Sequence, residues 1–296
     1  MKNSERLYVE LIFGSSNKYA SWDPEIEVKV GDYGHFTRGK RSMMFWRTAP
    51  RGIFLREGNI YDSEDSGASL AKKHGIPDPR AHGGSTTQGV TWITSKNAEE
   101  MDMSADVSGQ TPALANCSVK ASFKFSSGPG AVLTMDRDTI TAISPPGALR
   151  RLLEDPRMKH CLVISEVHSC SSFARYLGNA TVKSVTIGLA VEPPAGAVAS
   201  ASARMHWVRS TTVGNFKSRI NEDDERTFRP LFRLVSLKED DLTTGLRGTL
   251  EEAMQMPLPD AVPPWMSVAS KEQVPEEEAK KGPVAKILSR LPTRYD

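Results

Sequence analysis

The sequence predicts an α+β fold: a mainly antiparallel, twisted sheet with short flanking helices and a short helical tail. Three observations lead to this prediction. Short stretches of alternating apolar and polar residues recur up to residue 237. Helical spacing of apolar residues occurs only in short segments, and the clearest of them lie after residue 237. No window approaches the roughly 18–20 consecutive apolar residues of a membrane helix.

The composition is that of a soluble globular protein, with 39% hydrophobic and 25% charged residues. Three cysteines, Cys117, Cys161 and Cys170, do not make a disulfide framework in a chain of 296 residues and fit a reducing compartment. The N-terminus lacks the apolar stretch and cleavage site of a signal peptide. We therefore expect a protein that is cytoplasmic when inactive.

The first 62 residues are predicted to form strands and turns. Residues 7–13 are a short apolar run, and residues 26–30 alternate strictly before a turn at 31–34. A second alternating stretch covers residues 52–57. Residues 63–112 are polar and are predicted to be mostly loop, interrupted by one strand at 90–94.

The middle of the chain gives the clearest strand patterns. Residues 119–125 alternate, with apolar side chains on one face and Lys120 and Lys124 on the other, and residues 131–135 are predicted to return as their partner strand. A short helix is predicted over residues 145–153. The further predicted strands are 161–170, the pair 181–191 and 203–208, and 231–237.

The charge balance and the apolar pattern change after residue 237. This change divides the chain into a body, residues 1–237, and a tail, residues 238–296. Residues 239–296 carry 11 acidic and 7 basic side chains, a net charge of −4, which leaves +6 for residues 1–238. The tail is predicted to contain an amphipathic helix over 241–256, then a proline-rich extended linker around Trp265. A short apolar stripe over 284–291 must dock on another surface if it is ordered.

The search for an active site gives only weak candidates. His160, Cys161, His168 and Cys170 suggest a metal set or a thiol–imidazole pair, but nothing completes four metal ligands. On a strand, His168 and Cys170 share one face while Cys161 points away. The carboxylates at 223–224 and 276–278 lie in charge runs typical of solvated surfaces. We expect no enzyme, no cofactor and no metal.

The order of elements resembles the pore-forming domain of the gasdermin family. A helix at 147–154 is followed by the strand 159–168, and the body ends on the apolar strand 227–236. Residues 30–34 and 54–61 are similar to the short-tailed gasdermin-like proteins of fungi, which execute incompatibility cell death. The resemblance covers roughly residues 5–237. Animal gasdermins carry a large helical repressor domain, whereas only about sixty residues follow the body here, which fits the fungal type.

The resemblance implies an autoinhibited protein. A protease, subtilisin-like in fungal cases, would remove the tail. The body would then bind acidic membrane lipids, oligomerise and insert as a β-barrel pore, in a pyroptosis-like death. The two inserting regions would lie within residues 79–137 and 165–209. An ordinary half-buried sheet of a soluble protein has the same alternation of apolar and polar residues as these inserting regions, so that alternative stays open.

Candidate site residues follow from this reading. A basic loop beside aromatic side chains is the best candidate for lipid capture, although a solvated loop would look similar. The lysines on the predicted strands would face the channel or the headgroups. The membrane-binding candidates are Arg38, Lys40, Arg41, Phe45, Trp46, Lys120, Lys124 and Lys183. The cleavage region is marked by Leu242, Leu246, Leu250, Met254 and Met256, and the autoinhibitory contacts by Val284, Ile287, Leu288 and Leu291.

The expected partners are anionic lipids, the activating protease and further copies of the chain. Nucleic acid is a poorer partner because the body is not basic enough. Two other classes remain open: a non-lytic lipid-binding or scaffold module, and a Cys- or His-dependent enzyme.

Overall fold

A computed structural model describes residues 4–36, 54–63, 67–82, 89–101, 112–192, 204–237 and 256–266. The described chain has an α+β fold of mainly antiparallel strands with short helices, which confirms the predicted fold class. No helix among these residues is long and apolar enough to cross a bilayer.

The helices are short. They are α1 (Ser4–Ser16), α2 (Leu70–Lys73), α3 (Pro112–Ala115) and two 3-10 helices, Pro146–Glu154 and Pro156–Met158. The strands in chain order are β1 (Tyr19–Ala20), β2 (Asp32–Phe36), β3 (Phe54–Asn59), β4 (Arg80–His82), β5 (Val90–Thr94), β6 (Ala98–Met101), β7 (Cys117–Phe125), β8 (Ala131–Asp136), β9 (Thr139–Ala142), β10 (Leu162–Cys170), β11 (Ser172–Leu177), β12 (Ser184–Glu192), β13 (Arg204–Arg209), β14 (Asn215–Ile220) and β15 (Phe228–Ser236).

The N-terminal prediction was wrong in three places, one of which is the turn predicted at 31–34, because Asp32–Phe36 form strand β2. Residues 7–13 belong to helix α1, whose buried side chains Tyr8, Val9, Ile12 and Phe13 recur at helical spacing. A short apolar run fits a buried helix face as well as a strand, and tertiary packing decided between them. Residues 26–30 form no strand, because the carboxylate of Asp32 accepts a hydrogen bond from the Lys29 amide at 2.9 Å and closes a turn.

Several other predictions hold. The strands predicted at 90–94, 161–170 and 231–237, the pair 181–191 with 203–208, and the helix at 145–153 are all present within a few residues. The polar region 63–112 contains more structure than expected, since α2, β4 and β6 accompany β5.

The strands form three sheets. The large sheet has seven strands, with β1, β15, β10, β2 and β3 in order and with β9 and β4 beside β10. The middle sheet has the order β14-β11-β8-β5, and the distal sheet has the order β13-β12-β7-β6. The pairs between these strands are antiparallel.

The predicted pairing of residues 119–125 with 131–135 was wrong. Strand β7 pairs with β6 and β12, whereas β8 lies in another sheet and pairs with β5 and β11. The alternation correctly identified the buried face, but a period of two does not identify the neighbouring strand. The apolar faces of both strands meet in one core, where Phe123 and Phe125 pack with Val132.

The middle sheet is buried on both faces, which explains why all residues of β8 are buried. On one face, Leu133, Met135 and Phe173 pack with Tyr8 and Ile12 of helix α1. On the other face, side chains of the middle sheet pack against the distal sheet. The body therefore has three layers at this level: α1, the middle sheet and the distal sheet.

Candidate functional site

The chain passes through the three sheets four times, and each pass is an arm. Arm 1 comprises β4, β5 and β6; arm 2 comprises β7, β8 and β9; arm 3 comprises β10, β11 and β12; arm 4 comprises β13, β14 and β15. Each arm gives one strand to each sheet, and the arms lie in the order 1-2-3-4 in all three sheets. The described arms are therefore one four-armed antiparallel sheet that is bent twice.

The two central arms keep a single register through both bends. In the large sheet Glu166 pairs with Ala142, in the middle sheet Ser172 pairs with Asp136, and in the distal sheet Ser184 pairs with Lys124. Arms 2 and 3 contain the same number of residues between these successive pairs. The register first shifts near the end of β12, between Leu189 and Ala190.

The bend between the distal and middle sheets is built symmetrically. Residues 126–129 of arm 2 leave the ladder opposite residues 179–182 of arm 3. On one side of the bend the amide of Phe125 donates to the carbonyl of Lys183, and on the other the amide of Gly178 donates to the carbonyl of Gly130, both at 2.8 Å. A Cβ atom on Gly130 would lie 2.0 Å from the Phe125 ring, so only glycine permits this close approach.

The distal sheet carries three of the predicted membrane-binding lysines. Lys120 lies opposite Gly188 and is partly buried. Lys124 is exposed opposite Ser184, and the exposed Lys183 precedes Ser184 in the chain. The lysines on β7 point away from Ala121, Phe123 and Phe125, which are buried.

A buried charge network lies at the other bend, between the middle and large sheets. His168 of arm 3, which is 5% exposed, donates through Nδ1 to Asp138 Oδ2 at 3.0 Å and through Nε2 to Glu166 Oε1 at 3.1 Å. Thr91 of arm 1 donates to the other oxygen of Asp138 at 2.6 Å. Lys18, just after α1, donates to Glu166 and lies 2.8 Å from His168 Nε2.

This network favours the charged forms of its members. Burial lowers the pKa of His168, but the hydrogen bonds to Asp138 and Glu166 outweigh burial and raise that pKa above its ordinary value. Burial raises the pKa of Glu166, but hydrogen bonds from His168 and Lys18 bring it down to about 2. The pKa of Asp138 is lowered in the same way by its hydrogen bonds with His168 and Thr91. The network joins three arms and the helix α1 region while His168, Glu166 and Asp138 are charged.

Part of the tail is docked on the large sheet, next to the end of arm 4. We call residues 256–266 the docked segment. The Ser236 amide donates to the Pro259 carbonyl at 3.0 Å, and the Ala261 amide donates to the Leu234 carbonyl at 2.9 Å. Asp260 accepts a hydrogen bond from Arg233 Nε at 2.5 Å. The segment thus continues the edge of the sheet beside β15.

The side chains of the docked segment enter the main core. Leu258, Ala261 and Trp265 are 2%, 3% and 8% exposed and pack with the core of the large sheet. The guanidinium of Arg6 lies 5.1 Å from the Trp265 ring centroid. The prediction of a linker around Trp265 was therefore wrong in one respect. The prolines do keep the chain extended, but the apolar side chains between them find a buried surface.

Many predicted site residues lie outside the described part of the chain, so their predictions stand as made. These are Arg38, Lys40, Arg41, Phe45, Trp46, Leu242, Leu246, Leu250, Met254, Val284, Ile287, Leu288 and Leu291. Met256 is described and is 51% exposed at the start of the docked segment.

The candidate thiol and imidazole groups are arranged differently from the prediction. His168 contacts carboxylates, and Cys170 is fully buried with a pKa raised by that burial. Cys161 lies with its Sγ atom 3.8 Å from Nε2 of His35, a pair that the sequence did not indicate. Burial raises the pKa of Cys161 to about 11, and the residue is 1% exposed, so it is a poor nucleophile.

Comparisons with known proteins give little. No protein-family model matches the chain, and no curated protein matches it. Among solved structures, the chain is similar to the cryo-EM structure of the gasdermin A3 membrane pore, with 10% identity and a TM-score of 0.26. The match covers 79% of this chain and 88% of that chain. A TM-score this low carries no argument about function.

Sequence reasoning missed the features that join the arms. Asp138 and Lys18 lie far from His168 in the sequence, and neither belongs to a motif. Trp265 was noticed, but its burial was not expected. In the sequence, Trp265 lies in a proline-rich stretch together with the apolar residues Leu258 and Ala261. Such a group of apolar side chains indicates a segment that packs against another surface.

Proposed function

We propose that this protein is an autoinhibited pore-forming protein of the gasdermin type. Proteolytic removal of its tail would let the body bind acidic lipids, oligomerise and insert hairpins into a membrane, which would lyse the cell. The observation that carries the proposal is the single register that arms 2 and 3 keep through two bends.

A shared register matters because the bends can then open without breaking and re-forming the strand pairing. The looped-out residues 126–129 and 179–182 are equal in number, so the two arms can straighten into one ladder in which Phe125–Lys183 and Gly130–Gly178 remain neighbours. A membrane strand needs roughly 9–11 residues, and the span from β7 through β8 exceeds this length.

The side-chain pattern supports the same idea. Side chains alternate across a strand, so a straightened ladder places all odd-numbered residues of arms 2 and 3 on one face. In β7 and β12 this face is apolar, and it continues as an apolar face in β8 and β11. Its members include Val119, Ala121, Phe123, Phe125, Leu133, Met135, Phe173, Leu177, Val185, Ile187 and Leu189.

The opposite face is mostly polar or small, as expected for a water-filled channel. It includes Lys120, Ser122, Lys124, Thr134, Ser172, Ser184 and Thr186. Lys183 and Arg175 are exceptions on the apolar face, and Val132, Tyr176 and Val182 are apolar exceptions on the opposite face. Lys183 belongs to the polar bend region, where a lysine can reach lipid headgroups.

The docked segment supports autoinhibition. It is joined to β15, the last strand of the body, by residues 238–255, so a cut within those residues leaves the segment held only by its contacts. Cleavage converts an intramolecular contact into a bimolecular one and removes the effective concentration that maintained it. Release would uncover the apolar surface around Leu234 and Tyr19.

The test is dye release from liposomes by a full-length chain in which part of residues 238–255 is replaced by a protease recognition sequence. We expect leakage from anionic vesicles only after cleavage, and little leakage from zwitterionic vesicles. A matched chain with an uncleavable version of the same insert controls for the insert and the protease.

Three outcomes separate the alternatives. Leakage before cleavage would support pore formation but contradict autoinhibition by the tail. Vesicle binding without leakage after cleavage would favour the non-lytic lipid-binding module. Neither binding nor leakage from a cleaved body that remains folded would refute the proposal.

A further inference from the structure

Three metal-ligating side chains meet at one end of the large sheet. His35 lies on β2 and Glu57 on the neighbouring strand β3. Cys161 directly precedes β10, whose residues Leu162 and Val163 pair with Gly34 and Tyr33, so continuing that register puts Cys161 opposite His35. The topology therefore brings Cys161 to His35 and Glu57, which lie more than a hundred positions before it in the chain.

Local backbone features hold this arrangement. The register of β2 and β3 shifts between Tyr33 and Gly34, and the shift leaves Glu57 as the extra residue of a β-bulge. Bulges re-aim side chains and are common beside functional sites. Cys161 is fixed by two backbone hydrogen bonds: its amide donates to Met158, and its carbonyl accepts from Leu237 at 3.0 Å.

The distance between Cys161 and His35 fits a tetrahedral metal ion. Cys161 Sγ lies 3.8 Å from His35 Nε2, whereas Glu57 Oε1 lies 3.0 Å from Nδ1, the other nitrogen of the ring, so the Glu57 side chain has to turn to share an ion with Cys161 and His35 Nε2. One ligand atom from each of the three residues lies within 4.8 Å of the others. A tetrahedral zinc ion with ordinary Zn–S and Zn–N bond lengths separates its sulfur and nitrogen ligands by about 3.6 Å.

The chemistry of the three groups selects the class of ion. A thiolate and an imidazole favour zinc-like divalent ions over magnesium or calcium, and zinc also accepts a carboxylate. His35 and Glu57 are 46% and 45% exposed, so an ion can enter from solvent and their side chains can turn toward it. Cys161 supplies the buried wall of the site.

We propose that His35, Glu57 and Cys161 form a binding site for one zinc-class divalent ion, with a fourth position open to water. The ion clamps the β2–β3 hairpin to β10, to which β2 is joined by only two described residue pairs. Residues 37–53, which include the basic and aromatic lipid-capture candidates, connect β2 to β3 and so begin and end beside this clamp. The site stands independently of pore formation.

The experiment uses the purified full-length chain and two metal probes. Titration with Co²⁺ is followed by the thiolate-to-cobalt charge-transfer absorption, and Zn²⁺ affinity is measured by competition with a chromophoric chelator. We expect one equivalent of each ion to bind, with a thiolate band for cobalt. Cys161→Ser is expected to abolish that band, and His35→Gln and Glu57→Gln are each expected to weaken zinc binding by at least about tenfold.

The chain offers matched controls for each ligand type. Cys117→Ser on β7 and His82→Gln at the exposed end of β4 are expected to leave zinc binding unchanged. His35→Gln changes a half-exposed side chain and is expected to fold normally, so it tests the site even if Cys161→Ser does not fold. Absence of saturable binding to the wild-type chain, or binding that Cys161→Ser and His35→Gln leave unchanged, would overturn the proposal.

Discussion

Replacing Trp265 by alanine tests whether the docked segment can detach while the body stays folded, as autoinhibition by the tail requires. The wild-type side chain is 8% exposed, packs in the main core and lies 5.1 Å from the Arg6 guanidinium. Truncation of a buried tryptophan to alanine costs about 3–5 kcal/mol. We take about 3 kcal/mol, because the segment lies at the edge of the sheet.

If this loss falls on docking alone, the population with the segment detached rises by about 10²-fold, since each 1.4 kcal/mol is a factor of ten. Amide hydrogen exchange measures that population directly. The amides of Ser236 and Ala261 donate across the contact between the docked segment and β15, so they lose these hydrogen bonds when the segment detaches. We expect their exchange to accelerate about 10²-fold in Trp265→Ala.

The amide of Ile187 serves as the internal reference. Ile187 lies on β12 in the distal sheet, whereas the docked segment lies beside β15 of the large sheet. The exchange of the Ile187 amide is expected to stay at the wild-type rate. Val262→Ala is the matched variant: this neighbour in the same segment is 52% exposed and its truncation is expected to change little. Equal acceleration at Ile187 and Ser236 would mean that the docked segment detaches only when the body unfolds. The tail would then merely complete the fold, and autoinhibition by a detachable segment would be refuted.

Two further perturbations test the bends. His168→Gln removes the cation between Asp138 and Glu166 and is expected to reduce the free energy of unfolding by about 3 kcal/mol at pH 6. The pKa of His168 is raised in the folded state, so protonation of His168 stabilises the fold fully below the unfolded pKa of about 6.5. This stabilisation is lost as the pH rises through the folded pKa. The advantage of the wild type over His168→Gln in urea denaturation should therefore shrink as the pH rises above about 6.5 through the folded pKa, and a constant difference would contradict this assignment. Gly130→Ala forces a methyl group against Phe125 and is expected to destabilise by about 1–3 kcal/mol, whereas the control Gly14→Ala in α1, with nothing within 4 Å, is expected to stabilise by about 0.5–1 kcal/mol. If Gly130→Ala unfolds at the wild-type urea concentration, the close approach at the bend does not constrain the fold.

The sequence by itself determined the class of the fold and the buried faces of its main strands. Alternation in residues 119–125 and 181–191 was sufficient to predict β7 and β12, because side chains alternate whatever the neighbouring strand is. In β7 it placed Ala121, Phe123 and Phe125 on the buried face, although Val119 on the same face is 38% exposed. The apolar run at 161–164, continued to 170, likewise predicted β10. Local periodicity was less informative at residues 7–13, where a short apolar run fits a helix or a strand.

Only the tertiary structure decided which strands are neighbours and which distant groups meet. The register shared by arms 2 and 3, the contact of His168 with Asp138, and the approach of Cys161 to His35 all join positions far apart in the chain. Such pairings depend on how the whole chain closes its sheets and covers its core, and no local pattern records them. The same holds for the docked segment. Its apolar residues were visible in the sequence, but the surface that buries them exists only after the large sheet has formed.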